Sequence, residues 1–248
     1  INQSLRKIFQ ILNIYIIYMA FKRKYKRKRA FKKKKGKQTV MRVSKSIVPD
    51  NLIVKLKYCD TTTLDSGVNS KAYDTWSCNS IFDPYTATGG HQPLGSDEWA
   101  TFYSQYMVLG AKLTAIYQNH GTASTDGQIA ICQTDVESTW VPTDFTTLLE
   151  QGRTRYKFLT PAGGSRDQCT INCYYSPKKI FGVKDPKDSL VLRGLTGDLG
   201  TGNSPSTQAY FHVGLAGTQQ AQNAGACTVI VKIEYVVYYS GRKVLSQS

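Results

Sequence analysis

The side chains in this chain whose type and spacing could do chemistry are cations. Lys22, Arg23, Lys24, Lys26, Arg27, Lys28, Arg29, Lys32, Lys33, Lys34, Lys35 and Lys37 put twelve positive charges into sixteen residues. Residues 1 to 45 carry sixteen Lys and Arg, and the first acidic residue is Asp50. A block of like charge with so little apolar surface cannot offset its chain entropy by collapse. Its chemistry is neutralisation of a polyanion, in which each Lys or Arg releases condensed counterions from a phosphate and no base sequence is read. Phe21, Tyr25 and Phe31 lie among the cations, either as stacking faces for unpaired bases or incidentally. Lys22 to Arg29 also has the composition of a nuclear-localisation signal.

The charge is divided sharply along the chain. The net charge is +15, yet residues 46 to 248 hold 16 basic and 17 acidic residues, a balance of −1. Two parts follow: a basic arm over residues 1–45 and a nearly neutral body over residues 46–248. Ile8 to Phe21 is apolar but only fourteen residues long, short of the ~20 that cross a bilayer, so stable membrane insertion is not expected. Met19 directly precedes the basic block and reads as the biological start, with residues 1–18 as translated upstream sequence. A membrane-surface anchor beside a polybasic run is the other reading of that stretch.

The body has no G-x-x-x-x-G-K-[ST], G-x-S-x-G or H-E-x-x-H. Its histidines, His91, His120 and His212, are far apart in sequence, and His91 in a Pro/Gly loop reads as a structural residue. Cys59, Cys78, Cys132, Cys169, Cys173 and Cys227 include no C-x-x-C pair and read as small buried apolar residues in a reducing compartment. No catalytic residue, metal or cofactor is expected, and the chain reads as a non-enzyme.

The elements around these residues are strands. Leu52 to Cys59 alternates Leu52, Val54, Leu56 and Tyr58 against Lys55 and Lys57, the period of a half-buried strand. Seven more candidates follow at Tyr73–Phe82, Tyr106–Tyr117, Gln128–Thr134, Arg153–Leu159, Gln168–Tyr175, Ala209–Leu215 and Cys227–Tyr239. Short helical turns fit Asp97–Gln105 and Thr143–Gln151, with Asp97 and Thr143 as N-caps. Eight strands without βαβ alternation predict an antiparallel sandwich or barrel. The long connections Asp83–Ser104, Asp135–Gly152 and Ser176–Gln208 are the places for function, here contact with other subunits.

Asn79-Ser80-Ile81-Phe82-Asp83-Pro84, then Gly90-His91-Gln92-Pro93, then Asp97, Trp99, Tyr103, Tyr106 and Gly110, form an order of residues with a counterpart. Together with the Lys/Arg-rich arm and the Tyr-rich last strand, this order resembles capsid proteins of circovirus-like, Rep-encoding single-stranded DNA viruses. The resemblance covers Met19 to Ser248. It implies an all-β fold, a single eight-stranded antiparallel jelly roll of two packed sheets. It also implies a small icosahedral (T=1) shell of commonly about sixty copies enclosing circular single-stranded DNA, with the arm turned toward the genome and engaging a host nuclear import receptor. A host attachment receptor is implied without any indication of which. Location follows as the virion, and the host nucleus during assembly. Within the loop, Asp83, Pro84, His91, Pro93 and Trp99 are the expected subunit contacts; Trp99 fits equally well as a plug at the end of its own sandwich. Two other classes stay open: a cellular nucleic-acid-binding protein with a basic tail, and a membrane-anchored jelly-roll ligand.

Overall fold

The computed structural model describes residues 48–65, 71–120, 127–140, 145–185, 187, 194–217 and 225–244. Ile1–Val43 and Ser44–Ser248 form separate units, and every described residue belongs to the second. The basic block, Met19 and Thr143 lie outside the described residues.

Among the described residues, nine strands and three short helices follow in the order β1 (Leu52–Asp65), β2 (Lys71–Ser77), α1 (Ser96–Phe102), β3 (Tyr103–Asn119), β4 (Gln128–Asp135), α2 (Phe145–Glu150), β5 (Thr154–Leu159), β6 (Gln168–Tyr175), α3 (Pro177–Ile180), β7 (Thr196–Asp198), β8 (Tyr210–Gly217) and β9 (Ala226–Arg242). They build two antiparallel sheets, β1-β9-β3-β6 with β7 added on β3, and β2-β8-β4-β5. With β7 set aside, the first strand pairs with the last, the second with the second last, β3 with β6, and β4 with β5. A long hairpin folded at β4–β5 and then rolled produces that pairing, which is the eight-stranded jelly roll. Closure of the roll comes from β9 pairing with β3 and β8 pairing with β4.

Side-chain alternation decides which way each strand faces. On β1, Leu56, Tyr58 and Leu64 are buried while Lys55, Lys57 and Cys59 are exposed. On β9, Cys227, Val229, Val231, Ile233, Tyr235, Val237 and Tyr239 all face inward. β3 carries the same pattern through Leu113, Ala115 and Tyr117, with one irregularity in its pairing between Val108 and Gly110.

The gap between packed sheets is about 10 Å. A tyrosine is long enough to cross it, and two do. Tyr117 on β3 donates to the carbonyl of Ile131 on β4 at 2.7 Å. Tyr235 on β9 donates to the carbonyl of Ser77 on β2 at 2.8 Å. Burial pushes both phenols well above their ordinary range, so they remain neutral donors. Each hydroxyl therefore satisfies a backbone acceptor on the opposite sheet while its ring fills the core.

Several boundaries differ from expectation, and four differences have a visible cause or consequence. β2 stops at Ser77 rather than Phe82, because a side chain replaces the ladder at Asn79 (below). β1 runs on to Asp65 through the polar Thr61, Thr62 and Thr63, carried by the full length of β9. β5 begins at Thr154, since Arg153 takes a left-handed φ of 66° and spends its guanidinium on the Lys179 carbonyl at 2.9 Å. A ninth strand, β7, lies inside the expected Ser176–Gln208 loop. Cys59 is exposed and Cys169 half-buried, so the expectation of buried cysteines holds for Cys78, Cys132, Cys173 and Cys227. All six are free thiols, and burial raises Cys169 to about 11 and Cys227 to about 12.

Removing either crossing hydroxyl leaves a buried carbonyl without its partner, a loss of about 1–3 kcal/mol. Tyr117→Phe and Tyr235→Phe should each lower the unfolding free energy by that much, read as a lower urea midpoint at an unchanged denaturant slope, with a native far-ultraviolet spectrum. A midpoint equal to wild type in both would show that the sheets are joined by apolar packing alone.

Candidate functional site

The chain entering β1 is held at Val48–Asp50. Tyr103 donates its hydroxyl to the Pro49 carbonyl at 2.8 Å, and Arg242 donates to the Val48 carbonyl at 3.0 Å. The same guanidinium reaches Asp50 at 3.4 Å, an exposed pair of little energetic worth. Chain entry into β1 is thus held by the first residue of β3 and the last of β9.

The loop after β2 is built by side chains that imitate backbone. Asn79 donates to the Thr207 carbonyl at 2.8 Å and accepts from the Ala209 amide at 3.0 Å, so its carboxamide stands where a strand residue would. The Ser80 hydroxyl meets that of Ser204 at 2.8 Å and that of Tyr106 at 3.3 Å. Ile81 is fully buried. The chain then turns back, with the Ser77 amide on the Pro84 carbonyl at 2.6 Å and the ring of Tyr85 5.2 Å from that of Trp76.

The five expected contact residues fall into different environments. Pro84 and Pro93 are buried inside the protomer. Asp83 is exposed as a residue, but its carboxylate sits 2.6 Å from where a Cβ on Gly90 would be, and this partial desolvation raises its pKa. His91 is exposed on one side and stacks on Tyr58 on the other, with ring centroids 4.6 Å apart. Trp99, on α1, is half-buried against Tyr103 at 6.5 Å and Tyr239 at 6.0 Å, closing this end of the sandwich. α1 starts one residue earlier than expected. Its N-cap is Gly95 in a left-handed conformation, and Asp97 lies in the first turn beside Glu98, where negative charge suits the helix dipole. The loop therefore presents Asp83, His91 and one side of Trp99 on supports made by its prolines.

A second covered region involves the Asp135–Gly152 connection, for which contact with other subunits was the expectation and in which Trp140 packs on β8 of its own chain. β8 is buried on both faces, with Phe211, Val213 and Leu215 in the main core and His212, Gly214 and Ala216 under the chain that follows β4. Trp140 lies over Gly214, where a Cβ would come within 2.1 Å of its ring, and stacks on His212 at 5.8 Å and 11°. Its indole donates to Gln133 at 2.6 Å, and Gln133 donates onward to Gln151 at 2.7 Å. His212 Nε2 faces the Glu137 carbonyl at 3.0 Å and must donate there, so Nδ1 accepts from the Thr75 hydroxyl at 3.0 Å. Both contacts suit the neutral ring, and burial lowers the His212 pKa. The signal that could have found this was the run of small residues in β8 opposite a lone tryptophan in a long loop.

No family model and no curated protein matches the chain. Among solved structures it is similar to the giant freshwater prawn Macrobrachium rosenbergii nodavirus semi-empty virus-like particle (13% identity, 82% of this chain and 100% of that chain, TM-score 0.43). It is also similar to the decameric BFDV capsid protein (12% identity, 76% and 99%, TM-score 0.44). A third is the Mud crab tombus-like virus (8% identity, 82% and 96%, TM-score 0.44). Likenesses of this size carry no argument about function. The jelly roll stands on the chain's own strand pairing.

Two outcomes test the covered region. Gly214→Ala should displace Trp140 and lower stability by about 1–3 kcal/mol, the range for overpacking, with tryptophan emission shifted to longer wavelength. The second concerns pH. A folded-state pKa below the unfolded value of ~6.5 leaves the His212 contribution whole above that pH; as pH falls, the unfolded chain takes up a proton that the native chain resists. The urea midpoint should fall as pH drops below ~6.5, and His212→Gln should flatten that part of the profile.

Proposed function

We propose that this chain is a viral capsid protein that assembles into a small shell and packages circular single-stranded DNA through its basic arm. The observation that carries the reading is the charge partition: sixteen positive charges and no negative one in residues 1–45, joined to a jelly roll of balance −1. An arm of that density has a polyanion as its natural partner. A body near neutrality lets copies pack side by side without long-range repulsion and leaves shape and apolar contact to set the geometry. Lys22 to Lys37 hold the nucleic acid, and Lys22 to Arg29 serve nuclear import. About sixty arms of roughly +14 each would place on the order of 800 positive charges inside, a large share of a small genome's phosphates. The resemblance in the Asn79–Gly110 stretch supports the same reading. Asp83, His91 and Trp99 are the proposed contact points between copies, with Pro84 and Pro93 shaping the loop from within.

Among the described residues no helix is long and apolar enough to cross a bilayer. A cellular binder with a basic tail shares the arm chemistry but forms no shell.

The test uses expressed full chain and a deletion of residues 22–37. Wild type should form uniform shells by electron microscopy that protect nucleic acid from nuclease. The deletion should lose protected nucleic acid and nuclear entry while keeping cooperative unfolding. With one phosphate per cation, oligonucleotide affinity should fall with log salt at a slope of about −8, from ~0.7 per contact on a single strand. Strictly monomeric protein, or equal protection in the deletion, overturns the reading.

A further inference from the structure

The two sheets of the roll have open edges at β5 and β6, which pack against each other. A cleft of about 760 Å³ opens there, with Tyr156, Lys157, Phe158 and Arg166 in its walls. Three of the ten large exposed apolar side chains of the described residues gather at this edge, with Tyr156 48%, Phe158 57% and Tyr174 54% exposed. Tyr156 and Phe158 meet edge to face with centroids 5.9 Å apart. They sit opposite Ile131 and Ile129 in the β4 register, at the margin of the outer face. Arg155 lies over the ring of Tyr174 at 5.5 Å.

The cations here are uncompensated. Among the described residues the one ion pair within 4 Å is Arg242 with Asp50, so Arg155, Lys157 and Arg166 have no carboxylate partner. Edge strands often carry Lys to discourage pairing with another chain. That purpose needs charge alone and leaves the exposed Tyr156 and Phe158 rings unexplained, while the face of Tyr174 is taken by Arg155. Rings with free faces beside unpaired cations, in a cleft the size of one or two nucleotides, are the chemistry that holds an unpaired strand: bases stack on the rings and phosphates meet the cations. Base stacking on an aromatic ring releases no counterions of its own, so a site with two cations depends on salt less steeply than the twelve-cation arm.

We infer that the β5–β6 edge is a second binding site for single-stranded nucleic acid, built into the folded body and separate from the arm. It rests on the proposed function for the presence of a strand, but its chemistry stands on Tyr156, Phe158, Lys157 and Arg166.

The experiment is photocrosslinking of full chain to a roughly 15-nucleotide oligothymidylate carrying 4-thiothymidine, within the usual site-size range. It is run in low salt and in about 0.5 M salt, where arm binding is suppressed, and adducts are mapped by peptide mass spectrometry. Adducts at Tyr156 or Phe158 that persist in high salt are expected, alongside arm adducts that fade. Tyr156→Leu/Phe158→Leu, which keeps apolar bulk, should reduce the cleft adducts at least about tenfold and leave the arm adducts as they were. Lys157→Gln/Arg166→Gln should make the salt slope shallower by about 1.4. Should the leucine variant not fold, the wild-type adduct map decides alone. Arm adducts with none over residues 154–174 overturn the inference and leave the proposed function standing; adducts nowhere sink both. Variants that change particle sedimentation but not the cleft adducts overturn it as well, by making this edge a contact between copies of the chain.

Discussion

Two sheets face each other across a gap that tyrosine spans, and the hydroxyl at the far end must find an acceptor. Tyr117 and Tyr235 meet that requirement on carbonyls of the opposite sheet, one near each side of the roll. Apolar burial alone would let the sheets slide, since contact between methyl groups has no direction. A buried phenol is different. It costs free energy unless its single donor reaches one particular carbonyl. The crossing bonds therefore tie β2 and β4 to defined positions on β9 and β3, and the loops that leave those strands inherit a fixed origin.

What the loops do with that origin follows the same rule of satisfied polar groups. Asn79 substitutes its carboxamide for a strand residue between Thr207 and Ala209 and so ends β2 while keeping its neighbours paired. His212 divides its two nitrogens between a hydroxyl and a carbonyl under the Trp140 ring. Neither region has the shape of a substrate site. Both tie connections to the sheets through side-chain hydrogen bonds and ring stacking. The β5–β6 edge carries the opposite character, with cations that have no carboxylate partner among the described residues.

Much of this was legible because it is local. Period-two alternation in β1 and the continuous apolar run of β9 depend on neighbours one or two residues away, and both strands lie where the pattern put them. Failures came where a distant segment decided. The Thr61–Thr63 run of β1 has no hydrophobic alternation and is a strand because β9 continues beside it. Residues 78–82 have good strand formers, yet Asn79 ends the ladder through partners some 130 positions away. Asp97 had the right chemistry for an N-cap, but Gly95 occupies that position with a φ of 84°. Among the expected contact residues, type alone could not separate the buried Pro84 and Pro93 from the exposed Asp83 and His91.

By itself the sequence determined the division of charge, the all-β character and the approximate place of each strand, because composition and short-range periodicity act without reference to the rest of the chain. Tertiary structure alone decided which carbonyls the core tyrosines reach, which side of β8 is covered, and that Tyr156, Phe158 and Arg166 share one edge. Those outcomes depend on how a long hairpin rolls, and a rolled hairpin brings together residues whose separation in sequence carries no information about their contact.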